Sequence, residues 1–304
     1  MGQFIEDPKF TSFTFISDGL VLVLDVAGNG QVSLGILAVP PRYPVCNARS
    51  HGYLCELRYP RLSFGALVDD VLITSAPLTT LAVPDIPVAP FAHSSMDILF
   101  TVILKYIKDS GIETVVLLVP HSTILNHISS VILSLQKSLE WESWGPKGSC
   151  MLKVDPSDVW IYHSYGMKFV YSPDGGTFVH TFDLNPYATR KVINTASCPD
   201  LSWKAMLTET KIRRRHNPFD TDVVTSFPGR EASIQLTPNN HGWESTMITE
   251  DYIVMVQVGK SAILAIPLVL MTLISQNVSL QYLPTWQCDN TFQATFLSWW
   301  GWMH

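Results

Sequence analysis

Apolar runs of strand length recur along the chain, each bounded by residues that favour a turn. Leu20 to Val26 and Gln31 to Val39 flank Ala27-Gly28-Asn29-Gly30, where an Asn-Gly step supplies the backbone freedom of a tight hairpin. β-Like runs begin by Phe13. A loop with proline and arginine spans Pro40 to Pro60, after which Leu62 to Leu67 and Val71 to Thr74 read as two strands around a turn at Asp69-Asp70. Pro77, Pro84, Pro87 and Pro90 make the next stretch a surface connection, because proline cannot donate to a ladder. Ile98 to Ile107 and Glu113 to Val119 then pair around Asp109-Ser110-Gly111. Their β-branched residues favour strand over the helical alternative for Ile98 to Lys108.

One stretch has convincing helical spacing. After Pro120, His121-Ser122-Thr123 can cap a helix spanning roughly 124–137, with Ile124, Leu125, Ile128, Val131, Ile132 and Leu135 on its apolar face. The chain then returns to strands. Met167 to Tyr171 and Thr177 to Phe182 are the arms of a hairpin around Ser172-Pro173-Asp174-Gly175-Gly176, where proline presets φ and the glycines tolerate reversal. Thr208 to Asp222, with Lys211, Arg213, Arg214 and Arg215 among carboxylates, reads as a solvated loop. Strand-like runs resume at Ala232 to Leu236, Ser245 to Thr249 and Tyr252 to Val258.

Many short strand pairs with turn signals between them predict an all-β domain over 1–258. An incomplete or irregular β-propeller suits small antiparallel sheets best, since radial packing protects their edges. At about 40 to 45 residues per blade it would hold five or six blades. A sandwich or an open barrel is the alternative.

The remaining residues, 259–304, form an atypical apolar tail. Between Ser261 and His304 the only charged Asp, Glu, Lys or Arg is Asp289, and the end carries Trp286, Trp299, Trp300 and Trp302. Three readings compete: a membrane anchor using Ser261 to Ile274, a pair of final strands, or a non-native C-terminus. The anchor is opposed by Pro267 and by a run shorter than a spanning helix needs. The Asn277-Val278-Ser279 sequon would matter only in a secreted chain.

Composition narrows the class further. Of the 304 residues 47% are hydrophobic and 15% charged, with a net charge of −6. That balance gives no electrostatic reason to seek nucleic acid or an anionic membrane. Five cysteines, Cys46, Cys55, Cys150, Cys198 and Cys288, form an odd set without a CxxC pair. Free thiols in a reducing compartment follow, so a cytoplasmic or nuclear location is expected. The N-terminus has no apolar core of a secretory signal, and the residues after Gly2 do not match a myristoylation site.

Reactive constellations are sparse. There is no GxSxG elbow. Cys150 precedes His163 at a distance that does not define a dyad, and a buried structural thiol is the simpler role. Gly259-Lys260-Ser261 imitates the end of a phosphate loop, but Val254 stands where the first glycine is needed. His121 and His127 lack zinc-binding spacing, and no cysteine pair completes a ligand set. His163 and His180 lie in strand-like segments, where a structural role is ordinary. Asp155 and Asp158 sit in a turn that solvates carboxylates. No enzyme, cofactor or metal is therefore expected; an uncharacterised hydrolase is the alternative that a convergent site would revive.

Several motifs together resemble a known family. Pro120-His121-Ser122-Thr123, Trp141 to Ser149 (WESWGPKGS), Tyr165 to Val170 (YGMKFV), Phe182 to Pro186 (FDLNP) and Trp243 to Asp251 (WESTMITED) resemble, in order, the β-rich region that follows the F-box in a large group of fungal F-box proteins. The likeness spans roughly Asp18 to Gln257. It implies a non-catalytic protein-interaction module, similar to the substrate-recognition region of ubiquitin-ligase receptors. An F-box itself is not expected, because β-runs leave no room for it, and with it goes the surface for a Skp-type adaptor. The partner is an unknown protein, with a membrane contact through the tail as the competing class. Trp144, Tyr165, Phe182 and Trp243 are expected in the packing between sheets rather than in a binding site.

Overall fold

A computed structural model describes residues 9–17, 19–28, 30–39, 53–75, 98–108, 111–134, 137–154, 163–173, 178–186, 204–206, 210–213, 218–235, 245–249, 252–257, 262–267 and 286–287. Within these residues the protein is mostly β, in several small sheets that do not close on themselves. The all-β expectation holds.

The first sheet orders its strands as Lys9–Ser17 (β1), Leu20–Val26 (β2), Val32–Ala38 (β3) and Cys55–Arg58 (β4), with Ser138–Leu139 (β8) added parallel to β4. The expected β2–β3 hairpin forms in antiparallel register, and Gly30 takes a positive φ of 80° at its turn. β4 lies inside the stretch that the sequence assigns to a loop; its Cys55 and Leu57 alternate into the core and hold it to β3.

The second sheet is Leu67–Ser75 (β5), Leu99–Lys108 (β6), Gly111–Pro120 (β7) and Cys150–Leu152 (β9). The turn expected at Asp69-Asp70 is not a turn. β5 runs through both aspartates with a register shift between Val68 and Asp70, and the extra residue lets Val68 and Val71 face the same core. β6 and β7 are buried almost throughout, which marks a sheet covered on both faces. Phe100, Val102, Leu104 and Tyr106 point into the core shared with the first sheet. Leu99 and Ile103 point into a second core with the third sheet. One strand thus serves two interfaces through its period of two.

The third sheet contains Ser164–Tyr165 (β10), Lys168–Tyr171 (β11), Phe178–Asp183 (β12), Gly229–Gln235 (β16) and Lys204–Met206 (β13). The central hairpin forms with Phe169 opposite Phe182 and Tyr171 opposite His180. Its turn residues 174–177 lie outside the described residues. Thr210–Ile212 (β14), inside the segment expected to be a solvated loop, pairs with Val223–Thr225 (β15) just beyond it. Ile212, Phe219 and Val223 are buried, so apolar residues among the charges anchor it; Arg214 and Arg215 lie outside the description.

The last sheet is Ser245–Ile248 (β17), Tyr252–Gln257 (β18), Ala262–Pro267 (β19) and Trp286–Gln287 (β20). β19 pairs with β18 over six positions, across the 258/259 composition change. No helix among the described residues is long and apolar enough to cross a membrane.

Between β7 and β9 the chain leaves the second sheet and returns. His121–Ser134 (α1) begins directly after Pro120 and buries Ile124, Ile128 and Val131 against the first core. β8 then joins the first sheet, and Trp141–Gly148 (α2) leads back to β9. The helix expected over 124–137 is therefore found three residues earlier, and α2 is a second helix that the pattern did not suggest. The excursion ties the first sheet to the second. Between sheets, β1 lies beside β5, β10 meets β5 and β6, and β17 meets β11 and β10.

Candidate functional site

The family-like motifs build packing, not a reactive centre. In WESWGPKGS, Trp141 and Trp144 meet edge-to-face at 5.1 Å between centroids, with Tyr59 against both. Trp144 donates its indole N–H to the Arg58 carbonyl at 2.9 Å, fastening α2 to β4. Ser149 Oγ donates to the Gly145 carbonyl and Thr123 Oγ1 to the Gly148 carbonyl, while the Pro146 carbonyl accepts from the Ser226 amide. In YGMKFV, Gly166 turns the chain with φ 55° and buries Phe169 and Val170 beyond it. In FDLNP, Asp183 is 2% exposed and accepts from Arg230 Nε and Nη2 at 3.0 and 2.7 Å and from the Asn185 amide at 3.0 Å. Trp144 and Phe182 are buried and Tyr165 half-buried; Trp243 lies outside the described residues.

Among the described residues the titratable candidates do not converge. Cys150 is fully buried, and burial pushes its thiol up to about 12 against a hydrogen bond from Thr210. His163 is buried beside Phe169, and neither ring nitrogen has a hydrogen-bond partner of good geometry. Burial lowers its pKa, with the Val170 backbone opposing. His121 packs against Phe100, and His127 is lowered by burial. His180 stacks on Tyr171 and meets Ser233 Oγ through Nδ1 at 2.9 Å. No group of three metal-ligating side chains occurs among the described residues. Asp155, Asp158 and Gly259-Lys260-Ser261 lie outside them.

A groove of about 440 Å³ separates β9 from β14. Buried Met151, Leu152 and Ile212 line it together with Lys153, Lys211 and Arg213. Glu113 holds Lys153 at 2.6 Å and Asp222 holds Lys211 at 2.9 Å. Thr210 completes the lining, and both lysine ammonium groups in it are held in ion pairs.

The outer face of the first sheet is different in kind. Phe13 and Phe15 stand on edge strand β1, 63% and 53% exposed, and meet edge-to-face. Their cross-strand neighbours are Val23 and Val21. Next along β2 is Asp25, 6% exposed, whose Oδ2 accepts from the Tyr53 hydroxyl at 3.2 Å. The Tyr53 ring lies directly on Gly35, the residue opposite Val23 on β3. Asp25 Oδ1 has no hydrogen-bond partner of good geometry. Burial raises the Asp25 pKa, opposed by Tyr53 and the Val26 backbone and reinforced by Glu56. On β4, Arg58 is engaged by Glu56 and Glu140. Sequence reading missed this face; the available signal was phenylalanine alternating with Ser12, Thr14 and other small polar residues on β1. No protein-family profile matches this chain, and no curated protein matches it.

Proposed function

We propose that this chain is a non-catalytic protein-recognition module, an open propeller-like succession of small sheets similar to the substrate-facing region of fungal F-box proteins. The carrying observation is that its most specific motifs are spent on packing: Trp144 on the Arg58 carbonyl and Asp183 on Arg230. Buried, dispersed titratable groups suit a scaffold rather than a catalyst. The contacts of β1 with β5, of β10 with β5 and β6, and of β17 with β11 and β10 support blade-like stacking of neighbouring sheets. When such a region is joined to an F-box, its partner would be a protein marked for ubiquitination in the cytoplasm or nucleus.

The test is affinity capture followed by reconstitution of each captured protein with the purified chain, reading binding and intact mass. A direct, saturable complex that leaves the partner's mass unchanged is expected. Turnover of a bound molecule, or failure of every captured protein to bind directly, would sink the proposal. An F-box read in frame upstream of Met1 would add the Skp-type adaptor to the partners.

A further inference from the structure

We infer that the groove between β9 and β14 docks an extended acidic segment of a partner protein, seating its carboxylates on Arg213, Lys211 and Lys153. This rests on the protein-recognition reading above and names the chemistry of its partner. Charge is the first observation. The chain carries a net charge of −6, yet the groove is lined by three cations and by no carboxylate. The acids that hold the two lysines, Glu113 and Asp222, stand outside the lining. Arg213 is exposed and forms no ion pair among the described residues.

The two ion pairs leave the lysines available. All four side chains in them are more than one-third exposed, where such a pair contributes little and exchanges readily. Glu113 keeps the Tyr106 hydroxyl at 2.6 Å when Lys153 turns to a ligand. Shape is the second observation. At about 440 Å³ the groove has the size of an ordinary ligand site, and it lies between the outer strand of the second sheet and a strand of the two-stranded ladder. Lys211 on β14 and Arg213 just past its end flank Ile212. That is the two-residue period of extended chain, so an extended ligand with acids at alternate positions matches it. Met151, Leu152 and Ile212 are at most 8% exposed and leave a narrow apolar floor. The cations, with their aliphatic stems, therefore carry the affinity. A nucleic acid fits less well, because Glu113 and Asp222 beside the cations would face its phosphates.

Displayed random short peptides selected on the full chain supply the probes. Enriched sequences should be acidic, with Asp or Glu at alternate positions. Their synthetic versions should bind Arg213→Glu about tenfold or more weakly, because repulsion replaces attraction. Arg213→Lys, which keeps the charge, should stay within about threefold of wild type. Salt raised from about 0.1 to about 1 M shortens the screening length from about 10 to about 3 Å and should weaken binding about tenfold. Lys137→Glu, the same charge reversal beside the first sheet, should change nothing; equal melting curves confirm that all variants fold. Enriched peptides without acids, acidic peptides unmoved by Arg213→Glu, or no enrichment at all overturn the docking groove. Whether captured proteins still bind directly then decides the recognition reading separately. A single-stranded oligonucleotide that displaces the acidic peptides at equal concentration would make nucleic acid the occupant and overturn the proposal.

Discussion

The ring of Trp141 lies directly over Gly145, four residues on along α2: a Cβ at Gly145 would stand 2.2 Å from Trp141 ring carbons. The ring cannot step aside, because Trp144 and Tyr59 hold its other surfaces. Alanine normally favours a helix over glycine by about 0.5–1 kcal/mol. Here overpacking wins, and Gly145→Ala should cost about 1–3 kcal/mol. Urea unfolding checks this against Gly111→Ala, where the nearest atom to an added Cβ is 3.7 Å away. Equal midpoints for both variants would show that the ring is not fixed.

That contact also explains why α2 was illegible in the sequence. Eight residues containing Gly145, Pro146 and Gly148 have poor helix propensity. Tertiary contacts at Trp141 and Trp144 hold the helix, and no local pattern encodes them. By contrast, β6 and β7 were readable because both of their faces are apolar and only two residues separate them in the sequence. Asp69-Asp70 misled because two adjacent carboxylates favour a turn, whereas a bulge at the exposed part of a strand tolerates them equally well. The outer-face cluster needed Tyr53 brought over Gly35 from 18 positions away, which no linear motif announces.

Asp183 and Arg230 form a nearly buried pair across β12 and β16. Removing Asp183 takes away the carboxylate that Arg230 meets through two N–H groups. Asp183→Ala should therefore destabilise by about 1.5–3 kcal/mol, losing the Asn185 amide bond as well. The double variant Asp183→Leu/Arg230→Met should be less destabilised than Asp183→Ala alone. Chemical denaturation of the three proteins decides it; a double variant worse than the single one would mean that the pair contributes through packing instead.

Two buried thiols should be silent in the folded protein. Burial pushes Cys55 up to about 11, aided by Glu56, and Cys150 up to about 12, so neither presents thiolate near neutral pH. Brief alkylation followed by peptide mass mapping should leave both unmodified until urea unfolds the chain. Modification of Cys150 in native buffer would reveal an opening of the β9–β14 region.

Acid should weaken the protein through His163. Its folded pKa is lowered from 6.5 by burial, so above 6.5 both folded and unfolded states are neutral and the site costs nothing. As pH falls below 6.5 the unfolded chain takes up the proton first, and stability declines until the lowered folded value is reached. His163→Leu removes the titration and should flatten this part of the stability profile. Asp25 acts with the opposite sign: its folded pKa is raised above 3.8, so the folded state binds the proton first and stability rises as pH falls through the raised value. Asp25→Asn should therefore stabilise at neutral pH and remove that lower-pH gain. Urea midpoints measured across the acid range for wild type and both variants separate the two, and a His163→Leu profile parallel to wild type near pH 6 would assign the acid sensitivity elsewhere.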